Sequence, residues 1–224
     1  MFSNRRNTVF IAAVVTVIFA TIVICACAVS CSGGKLNFKT SYYYVCYRIT
    51  DNSVSAGSLS GTVSSYGGAG YIIEHGGNYY VTVSCYYANN DAETVCAGLK
   101  RRGLDCSVIK IQTDAYKLRS RAAKRNRDLY LGNLNTLNSL SRVAYECANG
   151  IDNGLSQSKA KETAKTIENS LKALLKSNQK NCFTETIEKL LAEYKDKTSG
   201  YLYSKDMRYL QIAITDAIIE AELY

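Results

Sequence analysis

Histidine occurs once in this chain, proline and tryptophan not at all, and none of the nine cysteines stands in a CxxC pair. The scarcity of histidine and the spacing of the cysteines each exclude a kind of chemistry. Without paired cysteines or clustered histidines there is no ligand set for zinc. The one imidazole, His75, sits in the turn His75-Gly76-Gly77 with no serine or cysteine partner of the kind a nucleophilic site needs. No glycine-rich phosphate loop follows a strand pattern, and the acidic residues fall mostly on helix surfaces. The expectation is a binding module and not an enzyme, with no catalytic residue, no metal and no cofactor.

One more absence marks the N-terminus. Thr8 to Ser30 holds no charged residue and is rich in Val, Ile, Ala and Phe. At helical rise, ~20 such residues cross a bilayer core. Arg5 and Arg6 precede the run, so residues 1–7 are expected in the cytoplasm and everything beyond about Ser32 outside it. The run exceeds the ~7–15 residues of a signal-peptide core, which favours a retained anchor over cleavage. Cys27 or Cys31 offers a lipidation site at the membrane edge, although Ile24-Cys25-Ala26-Cys27 only loosely follows a lipobox. Residues 31–40, with Ser32-Gly33-Gly34, read as a linker.

What the chain has in abundance is tyrosine, 18 in all. Asn78 to Gln112 reads as strand, helix, strand. Tyr79, Val81, Val83 and Cys85 alternate with Tyr80, Thr82, Ser84 and Tyr86, the period of a strand buried on one face. Asn90-Asp91-Ala92-Glu93 has the form of a capping box. Ala92, Val95, Cys96 and Leu99 form one apolar stripe, Lys100 to Arg102 suit the negative end of the helix dipole, and Gly103 stops the helix. Cys106 to Ile111 is the return strand. Upstream, Tyr42 to Ile49 is a strand with Tyr43, Val45, Tyr47 and Ile49 facing its helix. Ser53 to Tyr66 is a weaker helix containing Gly57 and Gly61, and Tyr71 to Glu74 is a short strand.

The strand Tyr79-Tyr80-Val81-Thr82-Val83-Ser84-Cys85-Tyr86, followed by Ala92, Leu99 and Gly103, resembles the second half of a SPOR domain, the sporulation-related repeat that binds peptidoglycan. Ser84 stands where that family has glycine, and Cys46, Tyr47 and Arg48 stand where its first strand often has Gln and Val-Gly. The resemblance implies an α+β fold over residues 41–113: a ferredoxin-like β-α-β-β-α-β sheet with both helices on one face. It also implies that the other face holds glycan strands, through Tyr42, Tyr44, Arg48, Tyr80, Thr82, Ser84 and Tyr86, with Cys46 beside them. Tyrosine rings suit sugar C–H groups, and hydroxyls suit their polar substituents. Two other readings of that face are cross-strand packing alone and cover by the C-terminal helices.

Residues 114–224 read as helical. Lys117, Arg119, Arg121, Lys124, Arg125 and Arg127 form a basic run within an expected helix, either a solvated face or a contact for anionic lipid or wall polymer. Stripes follow to about Asn149, over Ser156–Ser177, Thr184–Lys197 and Ser204–Leu223, the pattern of a small bundle. Cys147 with Cys182 is a candidate bridge. Most of the cysteines read as small buried hydrophobes, with Cys46 and Cys85 on opposite sheet faces. The net charge of +8 permits anionic partners without choosing among them. The functional expectation is a single-pass membrane protein holding peptidoglycan glycan strands outside the cell, in division or sporulation. The rival is a membrane scaffold whose helical tail recruits protein partners, with the sheet as spacer. RNA binding on an RRM-like sheet is a third reading, opposed by the export direction, so nucleic acid is not an expected partner.

Overall fold

The computed structural model describes residues 34–118, 124–177 and 183–221. Four strands, β1 (Lys35–Thr50), β2 (Tyr71–His75), β3 (Asn78–Tyr86) and β4 (Ser107–Lys117), form one antiparallel sheet in the order β2-β3-β1-β4. Helix α1 (Ser53–Ser65) joins β1 to β2, and α2 (Asn89–Arg101) joins β3 to β4. Helices α3 (Arg127–Asp152), α4 (Gln157–Ser177), α5 (Phe183–Thr198) and α6 (Ser204–Ile219) follow. The chain is α+β, and the two β-α-β units interleave. The expected membrane span at residues 8–30 lies outside the described residues, among which no helix is long and apolar enough to cross a membrane.

Local chemistry explains the two crossover helices. Asn52 caps α1, its side chain accepting from the Ser55 N–H at 2.9 Å. At the C-terminus of α2, Gly103 has φ +83°. Its N–H reaches Lys100 O, and the N–H of Leu104 reaches Leu99 O, the paired bonds of a Schellman ending. The N-terminus of α2 differs from the sequence expectation. Ala88 is the cap residue, without a side-chain bond, and Asn89, not Asn90, meets Glu93 through a 2.7 Å contact from Nδ2 to Oε1. The helix begins early because Asn89 and Asn90 are both taken into its first turn.

Strand β1 is longer than expected and includes most of the expected linker. Its pairing with β4 runs from Cys46↔Ser107 to Lys35↔Lys117. Thr113 to Lys117 therefore extend β4 and are not helical. The basic run is divided: Lys117 ends a strand, Arg127 opens α3, and Arg119 and Arg121 fall outside the described residues.

Both crossover helices lie on one face. Ala56 and Val63 of α1 pack on Val81, and Ala92 and Cys96 of α2 pack on Val45 and Tyr86, with Val83 shared between the two clusters. Tyr43 and Tyr47 join them as expected, whereas Ile49 is exposed. The opposite face is covered by α3 and α6, which bring the whole C-terminal bundle into one hydrophobic core with the sheet. Leu36, Phe38, Tyr42, Tyr44 and Cys85 share that core with Leu134, Leu137, Leu210, Ile214 and Ile218.

Candidate functional site

The expected glycan face is closed in this structure. Tyr42, Tyr44 and Thr82 are fully buried, and Tyr80 is half-buried against the bundle. The cover is polar as well as apolar. Tyr42 Oη donates to Asn138 Oδ1 and Tyr44 Oη to Thr215 Oγ1, each at 3.0 Å. Tyr71 Oη donates to Asp216 Oδ2 at 2.9 Å, Tyr116 Oη to Ile218 O at 2.6 Å, and Gln211 Nε2 to Cys85 O at 3.0 Å. Tyr87 Oη and Ser141 Oγ lie 2.8 Å apart. Burial raises the pKa of Tyr42, Tyr44 and Tyr71, so these phenols stay neutral. Tyr42 and Tyr44 thus meet the C-terminal helices, one of the three arrangements expected for this face.

Three of the seven expected site residues are not on this face at all. Val45 pairs with Ser84 and Cys46 with Thr82, which leaves Val83 without a partner on β1. This β-bulge shifts the side-chain alternation by one position. Ser84, opposite Val45, and Tyr86, opposite Tyr43, are turned toward α2. Cys85 takes their place on the bundle side, so Cys46 and Cys85 share a face instead of opposing each other. A second irregularity skips Tyr47 and sets Arg48 opposite Val81. Arg48 is exposed there and pairs with Asp105 at 3.0 Å.

A different set of tyrosines is accessible. In the turn between α5 and α6, Leu202 is fully buried while its neighbours Tyr201 and Tyr203 are 61% and 54% exposed. The turn is held rigidly. Gln157 donates from Nε2 to Leu202 O at 2.8 Å and accepts the Leu202 N–H on Oε1 at 3.0 Å. Asp206 Oδ2 accepts the Tyr203 N–H at 2.9 Å, capping α6. The two rings lie 4.8 Å apart at 47°. Lys205 Nζ is 5.7 Å from the Tyr203 centroid and donates to Ser64 O at 3.1 Å, near the end of α1, where Tyr66 is 75% exposed. The result is an outward aromatic surface with a fixed cation, suited to the C–H faces and acidic substituents of a saccharide. Sequence reasoning missed it. The Tyr-Leu-Tyr triplet was its only local signal, and nothing local says that the leucine alone is buried.

At the start of the described chain a second charged feature appears. Lys35 lies opposite Lys117, and the Lys124 side chain passes close to Gly34. Like charges directly opposed on a sheet repel, and a nearby anionic surface relieves that repulsion.

No known family profile matches the chain. No curated protein matches it either. Among solved structures, the solution structure of the peptidoglycan binding domain of the B. subtilis cell wall lytic enzyme CwlC is similar at 23% identity, over 38% of this chain and 98% of that one, with a TM-score of 0.28. Part of this chain is thus weakly similar to a peptidoglycan-binding domain, at a level that by itself assigns no activity.

Proposed function

We propose that this chain is a membrane-tethered protein that holds peptidoglycan glycan strands outside the cell, in division or sporulation, with Tyr201, Tyr203 and Lys205 as its accessible contact. One observation carries the reading. Two large aromatic rings are held outward by a turn tied down at Leu202 and Tyr203, beside a lysine that donates to Ser64 O. Exposed aromatic surface that folding does not require marks an interaction site. The SPOR-like strand at β3 supports wall glycan as the ligand class. Residues 8–30 would supply the tether, and the facing Lys35 and Lys117 would lie toward anionic headgroups at its exit. Tyr42, Tyr44, Tyr80 and Thr82 would meet glycan only if the bundle left the sheet.

A second reading is favoured by the closed face. Because the sheet serves as a packing surface for α3 and α6, the sheet and bundle together suit a tethered scaffold that recruits protein partners.

The test uses full-length chain in detergent, pulled down on purified sacculi before and after amidase removal of the stem peptides. Binding that survives or rises on denuded glycan and falls at least tenfold in Tyr201→Ala/Tyr203→Ala supports the first reading. Absence of sacculus binding by the unmodified chain rejects it and leaves the scaffold.

A further inference from the structure

Of the five described cysteines, Cys96 and Cys106 touch through their sulfur atoms, at 3.0 Å. Cys96 lies on the inward stripe of α2, and Cys106 immediately precedes β4. Each Sγ also approaches the other's carbonyl oxygen, at 3.3 and 3.2 Å, so the two side chains point at one another across the helix–sheet contact. The separation is below the sum of two sulfur van der Waals radii, roughly 3.6 Å, and about 1 Å above the ~2.05 Å of a covalent bond. Both residues are buried in the cluster formed with Val45, Tyr86 and Ala92.

We infer that Cys96 and Cys106 form a disulfide that fastens α2 to the residue preceding the last strand. The inference rests on the extracytoplasmic part of the proposed function, because such bonds persist in oxidising compartments. It does not depend on the ligand. The reaction is thiol–disulfide exchange. The two protein thiols and one external disulfide, carried by a disulfide oxidoreductase or a small-molecule disulfide, give the Cys96–Cys106 bond and two external thiols. Two electrons pass to the external disulfide, and its sulfurs take up the two protons. The attacking species is a thiolate, and burial, with Cys96 beside it, raises the Cys106 thiol above its ordinary value. Both sulfurs are buried, so the finished bond is shielded from reductant. Cys46 and Cys85, both on the bundle side, differ from this pair: their sulfurs approach backbone carbonyls, Tyr44 O at 3.9 Å and Tyr86 O at 4.0 Å.

Two measurements test this. Full-length chain is recovered from its host membranes with an alkylating agent present and no reductant, then digested and weighed, and protease accessibility in intact cells records the side of the membrane. A linked Cys96–Cys106 peptide pair is the expected result. Alkylated Cys96 and Cys106 on a domain that protease reaches from outside would overturn the disulfide and leave the location standing. A domain inaccessible from outside would reject the location, and the second measurement then decides the pairing. Purified full chain is refolded in oxidised glutathione. Selective Cys96–Cys106 closure, lost in Cys96→Ser, upholds the pairing. Failure to close, or scrambling onto Cys85 or Cys147, overturns it.

Discussion

Tyr44, on the central strand, donates its hydroxyl to Thr215 on the last helix at 3.0 Å, a bond between residues 171 positions apart in a fully buried setting. This bond, with its neighbours from Tyr42, Tyr71 and Tyr116, makes the sheet and the bundle one folding unit. Thr215 also donates to Ile212 O, so it keeps a partner if Tyr44 loses its hydroxyl. Tyr44→Phe should therefore cost only about 1 kcal/mol. Tyr44→Ala removes the ring from a closed core and should cost ~3–5 kcal/mol. Urea denaturation of the two variants measures both. Equal losses would mean that the ring contributes little, and the sheet–bundle core would have to be redrawn.

The burial of Asp216 beneath Tyr71 predicts a pH dependence. Burial, then Glu220 and Glu193, raise the Asp216 carboxyl from 3.8 to about 7, against the lowering effect of the Tyr71 bond. Between those values the folded chain holds a proton that the unfolded chain has released. Stability should fall as pH rises from about 4 to about 7 and then level off, by an amount on the order of a few kcal/mol. Glu193, also raised by burial, acts in the same direction. Asp216→Asn should flatten most of this slope, as read from melting temperature against pH. A slope unchanged in Asp216→Asn would assign it to another group.

Tyr201 and Tyr203 are outside the core, so replacing both with alanine should change stability by no more than about 0.5 kcal/mol. Leu202→Ala, by contrast, empties a buried site and should cost ~2–5 kcal/mol. Thermal melts of the two variants, run beside the sacculus assay, separate loss of binding from loss of fold.

If Cys96 and Cys106 are joined, the closed loop is short, and reduction should lower stability by ~2–3 kcal/mol. The double variant Cys96→Ser/Cys106→Ser should then be insensitive to reductant. Denaturant midpoints with and without dithiothreitol give the comparison.

Gly70 precedes β2 with φ +67°, and a Cβ there would lie 2.7 Å from Ser60 O and 2.2 Å from Ser64 Oγ. Ser60 Oγ also donates to Gly70 O, which ties the turn to α1. Gly70→Ala should destabilise by ~1–3 kcal/mol through backbone strain and overlap. Gly98→Ala, in open space within α2, should leave stability unchanged or raise it by up to about 1 kcal/mol. Melting temperatures of both variants check the contrast.

Much of the fold was legible because local rules carry it. Period-two stretches around Tyr43 and Val81 became adjacent strands, and the stripe Ala92, Val95, Cys96, Leu99 became the inward face of α2. The candidate site was less legible. The reading of Ser84 and Tyr86 assumed unbroken alternation, and a single unpaired residue, Val83, reversed their direction. A bulge depends on how two strands meet, and neither strand's own sequence announces it.

By itself, the sequence determined the order of strands and helices, the face to which α1 and α2 would bind, and the position of the turn at Gly103. Hydrophobic period and backbone freedom are properties of neighbours along the chain. Only the tertiary structure decided what covers Tyr42 and Tyr44, which tyrosines remain outside, and that Cys96 meets Cys106. An amphipathic helix such as α6 specifies that one side must be buried but not against what. Its partner is selected by shape and by hydrogen bonds such as Tyr44 to Thr215, which exist only once distant segments have come together.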